Sequence, residues 1–298
     1  MYGGPSKEHE VSTNSAKNVL SFVDREKYDV VELYLPKERK SFETLVEELK
    51  NEKIDVVLPI LHGAFGEDGV LQEILEDAHI NFVGSGSEAS RNAMNKEKAN
   101  ELFKKSGLTV PKTQIVDTHS EIEINFPIIM KPIDEGSSVG LFKFNSLKEY
   151  DEGKEKVFAS YKNMMAQECI LGREFTCGVV ELDGQDIALP ITEVILNPND
   201  LFDYSTKYTA GACNEITPAV INEYLSNRLK EIALKCHEVL GCKSISRTDM
   251  IATLSGEIFI LETNTLPGMT KTSFIPAQIS VYGLEMKDFL SKLIESAK

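Results

Sequence analysis

The chain has 298 residues, of which 42% are hydrophobic and 27% charged, and its 32 basic and 47 acidic residues give a net charge of −15. This length is about twice that of a typical domain, and the composition is typical of a folded globular protein rather than a disordered one. The negative charge would repel nucleic acid and anionic lipid, and the sequence contains no apolar run of the ~18 residues that a membrane span needs, so we expect neither kind of partner.

The first residues have neither the basic nor the apolar segment of an export signal, so we expect the protein to be cytoplasmic. Cysteine usage agrees with this expectation. The five cysteines are thinly spread and form no Cys-x-x-Cys pair: Cys169, Cys177, Cys213, Cys236 and Cys242. They fit reduced thiols, mostly small buried hydrophobes, better than a disulfide framework or a zinc site.

From residue 1 to 84 the hydrophobic pattern alternates between helical and strand periodicity. It predicts helices near 9–23, 41–52 and 69–77, and strands near 28–35 and 54–60. Such alternation is typical of a parallel, doubly wound sheet.

The next block, 85–176, is richer in strands. A helix is predicted near 95–106, and strands near 127–131, 140–144 and 164–169, the last of them preceded by a further helix. This content indicates a small α+β unit.

The last block, 177–298, begins with predicted strands at 179–182 and 187–195. A long loop at 197–214, rich in Tyr, Thr and Gly, follows, and its length favours a lid. The block continues with a helix at 223–240, strands at 244–253 and 257–262, and a C-terminal helix ending near 294.

The most informative residues lie on the last two predicted strands. Arg247 and Asp249 share one face of their strand, as do Glu262 and Asn264 on the next. If the two strands form a hairpin, Asp249, Glu262 and Asn264 would converge, and such hard oxygen ligands suit Mg²⁺ or Mn²⁺. A solvated hairpin face would show the same pattern.

A second feature is Lys131 at the end of an apolar strand, followed by a Gly/Ser-rich turn at 135–140. A buried ammonium needs an anion, and the backbone N–H groups of such a turn can bind phosphate oxygens. A plain hairpin loop would also fit. Together with the three oxygen ligands, however, the turn points to a nucleoside triphosphate.

The motifs in chain order carry a resemblance to a known family. They are EHEVS (8–12), LHG (61–63) with GEDG (66–69), EGSSVG (135–140), FDYSTKY (202–208) and ETNTLPGMT (262–270). This series resembles that of the D-alanine:D-alanine ligases, which are ATP-grasp enzymes. The resemblance implies an α/β and α+β architecture in three units: an N-terminal doubly wound (pre-ATP-grasp) substrate-side domain (1–84), a central ATP-grasp lid subdomain (85–176) and a C-terminal ATP-grasp catalytic subdomain (177–298).

The family resemblance also implies the reaction and the residues involved. ATP would phosphorylate the carboxylate of one D-alanine, and the amine of a second would attack the acyl phosphate, giving D-alanyl-D-alanine for peptidoglycan. Two Mg²⁺ ions would be held by Asp249, Glu262 and Asn264. The ATP-binding residues would be Lys96 and Lys131 at the phosphates, Glu168 at the adenine and Glu174 at the ribose.

The remaining roles concern the two D-alanines. Arg247 and the backbone N–H of Gly268 would stabilise the oxyanion, and Glu10 would bind the ammonium of the first D-alanine. A lid latch would join Glu10 with Ser137 and Tyr208. The residues expected around the second D-alanine are His62, Lys207 and Ser273. Taken singly, Glu10 would fit a solvated helix face and His62 a structural histidine.

The sequence leaves three points open: the first strand, the identity of the second substrate, and whether the protein turns over at all. Family members usually begin with a short hydrophobic strand; only Met1 and Tyr2 precede Gly3 here, so we expect that first strand to be missing. A ligase that takes D-lactate or D-serine second, or a nucleotide-binding regulator without turnover, would share the motifs. A dehydrogenase is a weaker alternative, because Gly3-Gly4 lacks the three-glycine fingerprint of that class. The resemblance finally implies a homodimer.

Overall fold

The computed structural model describes residues 1–38, 41–133, 140–196 and 213–297. The helices in these ranges are α1 (His9–Leu20), α2 (Leu45–Asn51), α3 (Val70–Asp77), α4 (Ser87–Met94), α5 (Lys96–Lys105), α6 (Leu147–Phe158), α7 (Glu223–Leu240), α8 (Phe274–Tyr282) and α9 (Met286–Ser296). The strands are β1 (Tyr2–Gly3), β2 (Tyr34–Leu35), β3 (Val56–Val57), β4 (Asn81–Phe82), β5 (Thr113–Val116), β6 (Ile128–Pro132), β7 (Phe142–Phe144), β8 (Met164–Glu168), β9 (Arg173–Leu182), β10 (Gln185–Ala188), β11 (Thr192–Leu196), β12 (Cys213–Ile216), β13 (Ile245–Ala252) and β14 (Ile258–Asn264).

The first unit has the predicted parallel, doubly wound order. Strands β1 and β2 pair in parallel, as do β3 and β4, and a bridge from Tyr2 to Ile60 joins the two pairs. Helices α1, α2 and α3 connect the successive strands, as parallel pairing requires. The strands predicted near 28–35 and 54–60 shrink to two residues each. The first strand is present as Tyr2–Gly3; whether a longer one would add pairing stays a prediction.

The second sheet is antiparallel and four-stranded, in the order β5-β8-β6-β7. Helix α6 covers it, with Tyr150 and Val157 in a core that includes Ile128 and Met130. Lys131 on β6 lies opposite Met165 on β8. Asn100 of α5 contacts the Met165 sulfur, so α5 packs on the sheet face that carries Lys131.

The third sheet has six antiparallel strands in the order β12-β11-β9-β13-β14, with β10 also paired to β9. Strand β9 is continuous across residues 176 and 177, where the sequence predicted a boundary. The predicted strand at 187–195 is two strands, β10 and β11, because Pro190 between them has no N–H for a ladder.

One face of this sheet is apolar and packs under α7. Phe175, Cys177 and Met250 from the sheet meet Leu229 and Cys236 from the helix. Burial raises the pKa of the Cys177 thiol to about 12, so this cysteine acts as the predicted small hydrophobe. In the described ranges, no helix combines the length and apolar character needed to cross a membrane.

The opposite face of the sheet has two halves, one covered by helices and one that carries polar side chains. Helices α8 and α9 cover one half, and Gln278 of α8 fixes that helix to the sheet. Its side-chain nitrogen donates to Thr176 O and Thr192 Oγ1, both at 3.1 Å, and its oxygen accepts from Gly178 N at 3.0 Å. The other half of the face is left for polar side chains.

We predict that Gln278→Leu lowers the free energy of unfolding by about 2 to 4 kcal/mol, because it leaves buried polar groups of β9 and β11 without their partner. For a chain of this size this lowers the unfolding temperature by roughly 5 to 10 °C. Thermal unfolding checks the shift, with Gln185→Leu at an exposed strand position as the control. Equal midpoints for the two variants would contradict this role of Gln278.

Candidate active site

The polar half of the six-stranded sheet carries the predicted catalytic cluster. Strands β13 and β14 form the expected hairpin, with Arg247 opposite Asn264 and Asp249 opposite Glu262. The Arg247 guanidinium donates twice to Asp249, from Nε to Oδ1 at 2.9 Å and from Nη2 to Oδ2 at 2.8 Å. Thr176 Oγ1 also donates to Asp249 Oδ1, at 2.6 Å. The prediction that these side chains share a face is confirmed.

Arg247 is the buried cation of this cluster. Only 12% of its side chain is exposed, and its guanidinium lies 5.4 Å from the ring centre of Phe274. Burial opposes the positive charge, but the carboxylates of Asp249 and Glu262 outweigh burial and raise the pKa of Arg247 further. The guanidinium is therefore a permanent positive charge in the cleft.

A pair of buried carboxyl groups faces Arg247 from the N-terminal unit. Glu8 and Glu67 both line the cleft, and Glu67 accepts a hydrogen bond from Gly63 N at 2.6 Å. Burial, together with the neighbouring charge of Glu8, raises the pKa of Glu67 to about 8. A Cβ on Gly63 would lie 2.9 Å from the Glu8 carboxylate, and the φ of +67° at this position favours glycine, so a larger residue here would displace Glu8.

His62 stands beside this pair as a neutral side chain. Burial lowers its pKa to about 4, and the charge of Arg247 lowers it as well. Nδ1 lies 3.1 Å from the carbonyl of Leu266, which can only accept, so Nδ1 carries the proton. Nε2 then accepts from the hydroxyl of Ser15 at 3.3 Å.

The loop from β14 to α8 forms the remaining wall of the cleft. Gly268 and Ser273 line it, and a Cβ on Gly268 would lie 2.8 Å from Ser273 Oγ. Ser273 Oγ also accepts from Thr270 N at 3.0 Å. Asn18 of α1 donates to Met269 O at 2.8 Å and so holds this loop against the N-terminal unit.

The residues predicted for ATP lie elsewhere, and none of the four lines this cleft. Lys96 and Lys131 are buried, with 8% and 9% of their surfaces exposed. Lys96 N donates to Ile133 O at 3.2 Å, which places the start of α5 at the end of the strand carrying Lys131. Glu168 ends β8, and Glu174 lies on β9 two residues before Thr176, on the face that carries Asp249.

Glu10 is not placed where the sequence analysis expected it. It is exposed and does not line the cleft, whereas Glu8 does. The helical period explains the difference: Glu8, Ser12, Ser15 and Val19 recur at intervals of four, three and four residues and form the buried stripe, from which Glu10 points away. This spacing was visible in the sequence.

Glu67 and Glu215 also line the cleft and had no assigned role in the sequence analysis. Glu67 belongs to the GEDG motif, which was the available signal. Glu215 lies on β12, outside every motif used. Ser137, Lys207 and Tyr208 lie outside the described residues.

The cluster on β13 and β14 can form a metal site only if the side-chain amide of Asn264 contributes an oxygen ligand. The described residues contain no group of three or more His, Cys, Asp or Glu side chains arranged to hold a metal ion. The predicted set includes Asn264, however, whose side-chain nitrogen is buried without a hydrogen-bond partner in the described part of the chain. A half-turn of that amide would put its oxygen in this position, on the sheet face shared with Asp249 and Glu262, and two carboxylates with an amide oxygen are a donor set that fits Mg²⁺.

Comparison with known proteins agrees with this geometry. The family model described as D-ala D-ala ligase C-terminus matches residues 99–295, and the one described as D-ala D-ala ligase N-terminus matches residues 1–51 and 36–85. The D-alanine–D-alanine ligase of Syntrophobacter fumaroxidans is 38% identical over 305 residues, covering 100% of this chain and 96% of that protein. That of Leptospira interrogans is 42% identical over 257 residues, covering 81% of this chain and 72% of the relative.

Two solved structures are also similar. The VanG D-Ala:D-Ser ligase from Enterococcus faecalis has a TM-score of 0.84 at 30% identity, covering 100% of this chain and 98% of that chain. The D-alanine–D-alanine ligase from Bacillus anthracis, complexed with ATP, has a TM-score of 0.81 at 26% identity, with coverage of 99% and 94%. The fold and site therefore define an ATP-dependent ligase of the ATP-grasp class. Within that class, the chain belongs to the D-alanine–D-alanine ligase family.

The buried Glu67 generates a prediction about stability and pH. Its folded pKa is raised above the unfolded value, so the folded state binds the extra proton and loses stability as pH rises from about 4.5 to 8. Glu67→Gln should remove this loss, on the order of 2 to 4 kcal/mol between pH 5 and 8. Urea unfolding at both pH values measures it, with exposed Glu52→Gln as the control. If Glu67→Gln and the wild type have parallel pH profiles, Glu67 is not a buried acid.

Proposed function

We propose that this protein uses ATP to join two D-alanines into D-alanyl-D-alanine for peptidoglycan precursors. The main support is that Arg247, Asp249, Glu262 and Asn264 lie together on one face of the sheet. The family models also match nearly the whole length of the chain. A protein of net charge −15 needs local cations to bind a triphosphate and two carboxylates. The buried Lys96, Lys131 and Arg247 provide them.

In the first step, the carboxylate of one D-alanine attacks the γ-phosphorus of ATP. A C–O–P linkage forms, the bond to the β-phosphate oxygen breaks, and ADP leaves. Lys96 and Lys131 would contact the ATP phosphates, while Glu168 and Glu174 would hold the adenine and ribose. Mg²⁺ held by Asp249, Glu262 and Asn264 would neutralise phosphate charge when bound.

In the second step, the amine of the other D-alanine attacks the acyl carbon. The C–N bond forms, the amine loses a proton, and phosphate leaves with its electron pair. Arg247 and the Gly268 N–H would stabilise the oxyanion, and preorganised charge stabilisation of this kind often contributes more to catalysis than any other effect. His62 contributes hydrogen bonding without charge, because its lowered pKa keeps it neutral.

The role first expected of Glu10, binding the ammonium of the first D-alanine, fits Glu8 better. Glu8 lies in the cleft with Glu67, and one carboxylate of such a pair stays ionised while the other holds a proton. Ser273, with Lys207, would face the carboxylate of the second D-alanine. Ser137 and Tyr208 would complete a latch over the first.

Several further expectations belong to the same proposal. The enzyme would work as a homodimer in the cytoplasm. The chain would divide into functional units at 1–84, 85–176 and 177–298, with β9 running through the last division. The support for all of these is the family relation.

D-Serine is the second candidate for the attacking substrate, because the VanG D-Ala:D-Ser ligase is among the similar structures. ADP formation measured with D-alanine alone, and with added L-alanine, D-serine or D-lactate, tests the proposal. We expect D-alanine alone to support turnover. A preference for D-serine would assign the second candidate. No turnover with any of these substrates would leave a nucleotide-binding regulator.

We predict that Glu262→Gln abolishes turnover while the protein stays folded, because it removes one ligand charge from the metal cluster. ADP formation at millimolar Mg²⁺ and thermal unfolding measure the two effects. Glu257→Gln, on the same hairpin but exposed, is the matched control and should keep wild-type activity. Near-normal turnover of Glu262→Gln would show that the metal assignment is wrong.

Glu8 and Glu10 allow a paired test, since they lie two residues apart. We expect Glu8→Gln to lower kcat/KM for D-alanine by about a hundredfold or more, because a buried ammonium would lose its counter-charge. Glu10→Gln should stay within about twofold. Steady-state kinetics on both variants decide between them. The reverse order would restore the role to Glu10.

A further inference from the structure

Gln167 is a buried polar residue on strand β8 of the four-stranded sheet. Only 4% of its surface is exposed. Its side-chain nitrogen, Nε2, is buried without a hydrogen-bond partner in the part of the chain that the structure describes. Buried amide groups nearly always have a partner, because leaving one unpaired destabilises the fold. A group in this state can take its partner from a bound ligand.

Strand alternation places Gln167 on the same face of the sheet as Lys131. Met164 and Ala166 pack in the core under α6, so Gln167 lies on the other face. Gln167 is opposite Ile129 on β6, and Lys131 is two residues further along that strand. Residues in this diagonal relation lie about 7 to 8 Å apart. A nucleotide whose phosphates contact Lys131 can therefore bring its base to Gln167.

Glu168, which the sequence analysis placed at the adenine, lies on the opposite face of β8. It is opposite Ile128 on β6. Ile128 belongs to the core under α6, so Glu168 lies on the side of that helix. Of these two neighbours at the end of β8, Gln167 is the one on the side of Lys131.

A side-chain amide can bind more than one kind of base. It has one donor group and one acceptor, and a half-turn exchanges them. Adenine presents a donor, N6, beside an acceptor, N7, so it forms two hydrogen bonds with an amide. Guanine presents two acceptors there, O6 and N7, and hypoxanthine has the same two atoms, so the amide nitrogen can donate to either base. An ionised carboxylate could only accept, and it would repel the 6-oxo group.

We propose that Gln167 recognises the base of the bound nucleotide and that its amide admits 6-oxopurine nucleotides as well as adenosine nucleotides. The phosphate donor is then a purine nucleoside triphosphate, of which ATP is the preferred member. This inference rests on the proposed ligase function and adds the base selectivity of the same nucleotide site. Because one of two hydrogen bonds is lost, an inosine nucleotide binds about tenfold more weakly than its adenosine counterpart.

The burial of Gln167 gives this one residue a large effect on selectivity. A base that cannot pair with the amide leaves a buried polar group unsatisfied, and sites of this kind discriminate strongly between ligands. The neutral amide also suits an uncharged base, since a buried carboxylate at this position would need a counter-charge of its own.

Calorimetric titration of the full chain with ADP and with IDP, in Mg²⁺ and without D-alanine, measures base selectivity apart from turnover. For the wild type, we expect the dissociation constant of IDP to be about tenfold that of ADP. Gln167→Met keeps the length of the side chain but lacks the amide, so it should weaken ADP binding about tenfold and make the two constants nearly equal. Gln167→Glu, at about pH 9 where the carboxyl group is ionised, should raise the ratio to about a hundred or more.

A matched control and a stability measurement separate ligand binding from a structural role. Gln185→Met, at an exposed position on β10, should keep the wild-type ratio. Without nucleotide, Gln167→Met should unfold at the wild-type temperature or above it, because it removes a buried amide nitrogen that has no partner among the described residues. A lower unfolding temperature together with an unchanged ratio would make Gln167 a structural residue and overturn the proposal.

Two further outcomes overturn the inference and leave the ligase function intact. One is the same IDP-to-ADP ratio in Gln167→Met as in the wild type. The other is a wild-type ratio of about a thousand or more, which the loss of a single hydrogen bond does not explain. Failure of the proposed function itself looks different: the wild type would bind neither nucleotide and form no product from ATP and D-alanine, and the inference would fall with it.

Discussion

The pairing of charges on one face of the six-stranded sheet is the constraint on which the rest of the site depends. Arg247 is buried, and a buried charge is tolerated only when it is matched and hydrogen-bonded. Its two bonds to Asp249 meet that need. The β13–β14 register then brings Glu262 and Asn264 beside them, so the hairpin assembles the cluster before any ligand binds.

The N-terminal unit completes the cleft through hydrogen bonds that cross between units. His62 Nδ1 donates to Leu266 O, and Asn18 donates to Met269 O. These contacts set the carboxyl groups of Glu8 and Glu67 opposite Arg247. The chain as a whole is negatively charged, but cations and a protonated acid line the site. The site can therefore face anionic substrates.

Much of this arrangement could be predicted from the sequence. The bounds of α7 are predicted as 223–240 and found as Glu223–Leu240, because Asn222 caps its start and Gly241, with φ of +72°, ends it. The hairpin face follows from strand alternation alone. Where a single local rule decides the structure, the prediction is correct.

Other elements depend on information that local patterns do not carry. Helix α8 was not predicted. Its Pro276 is an unfavourable residue inside a helix but lies in the first turn, where the missing N–H costs nothing. Helix α4 is marked by few apolar residues, and its buried positions are Ala89, Ser90 and Ala93. The role of binding the ammonium was assigned to Glu10 from the motif alone. The helical period from Glu8 to Val19 places Glu8, and not Glu10, on the buried face of the helix. Contacts between units, such as those of Asn18 with Met269 and of His62 with Leu266, follow only from the tertiary fold.

The central claim is that phosphoryl transfer takes place on the face formed by β13 and β14. Anomalous diffraction from crystals grown with Mn²⁺ and a non-hydrolysable ATP analogue tests it most directly. The account predicts manganese in contact with side-chain oxygens of Glu262 and Asn264, with the nucleotide phosphates between the metal and Lys131. Manganese and phosphates bound away from that face would contradict it.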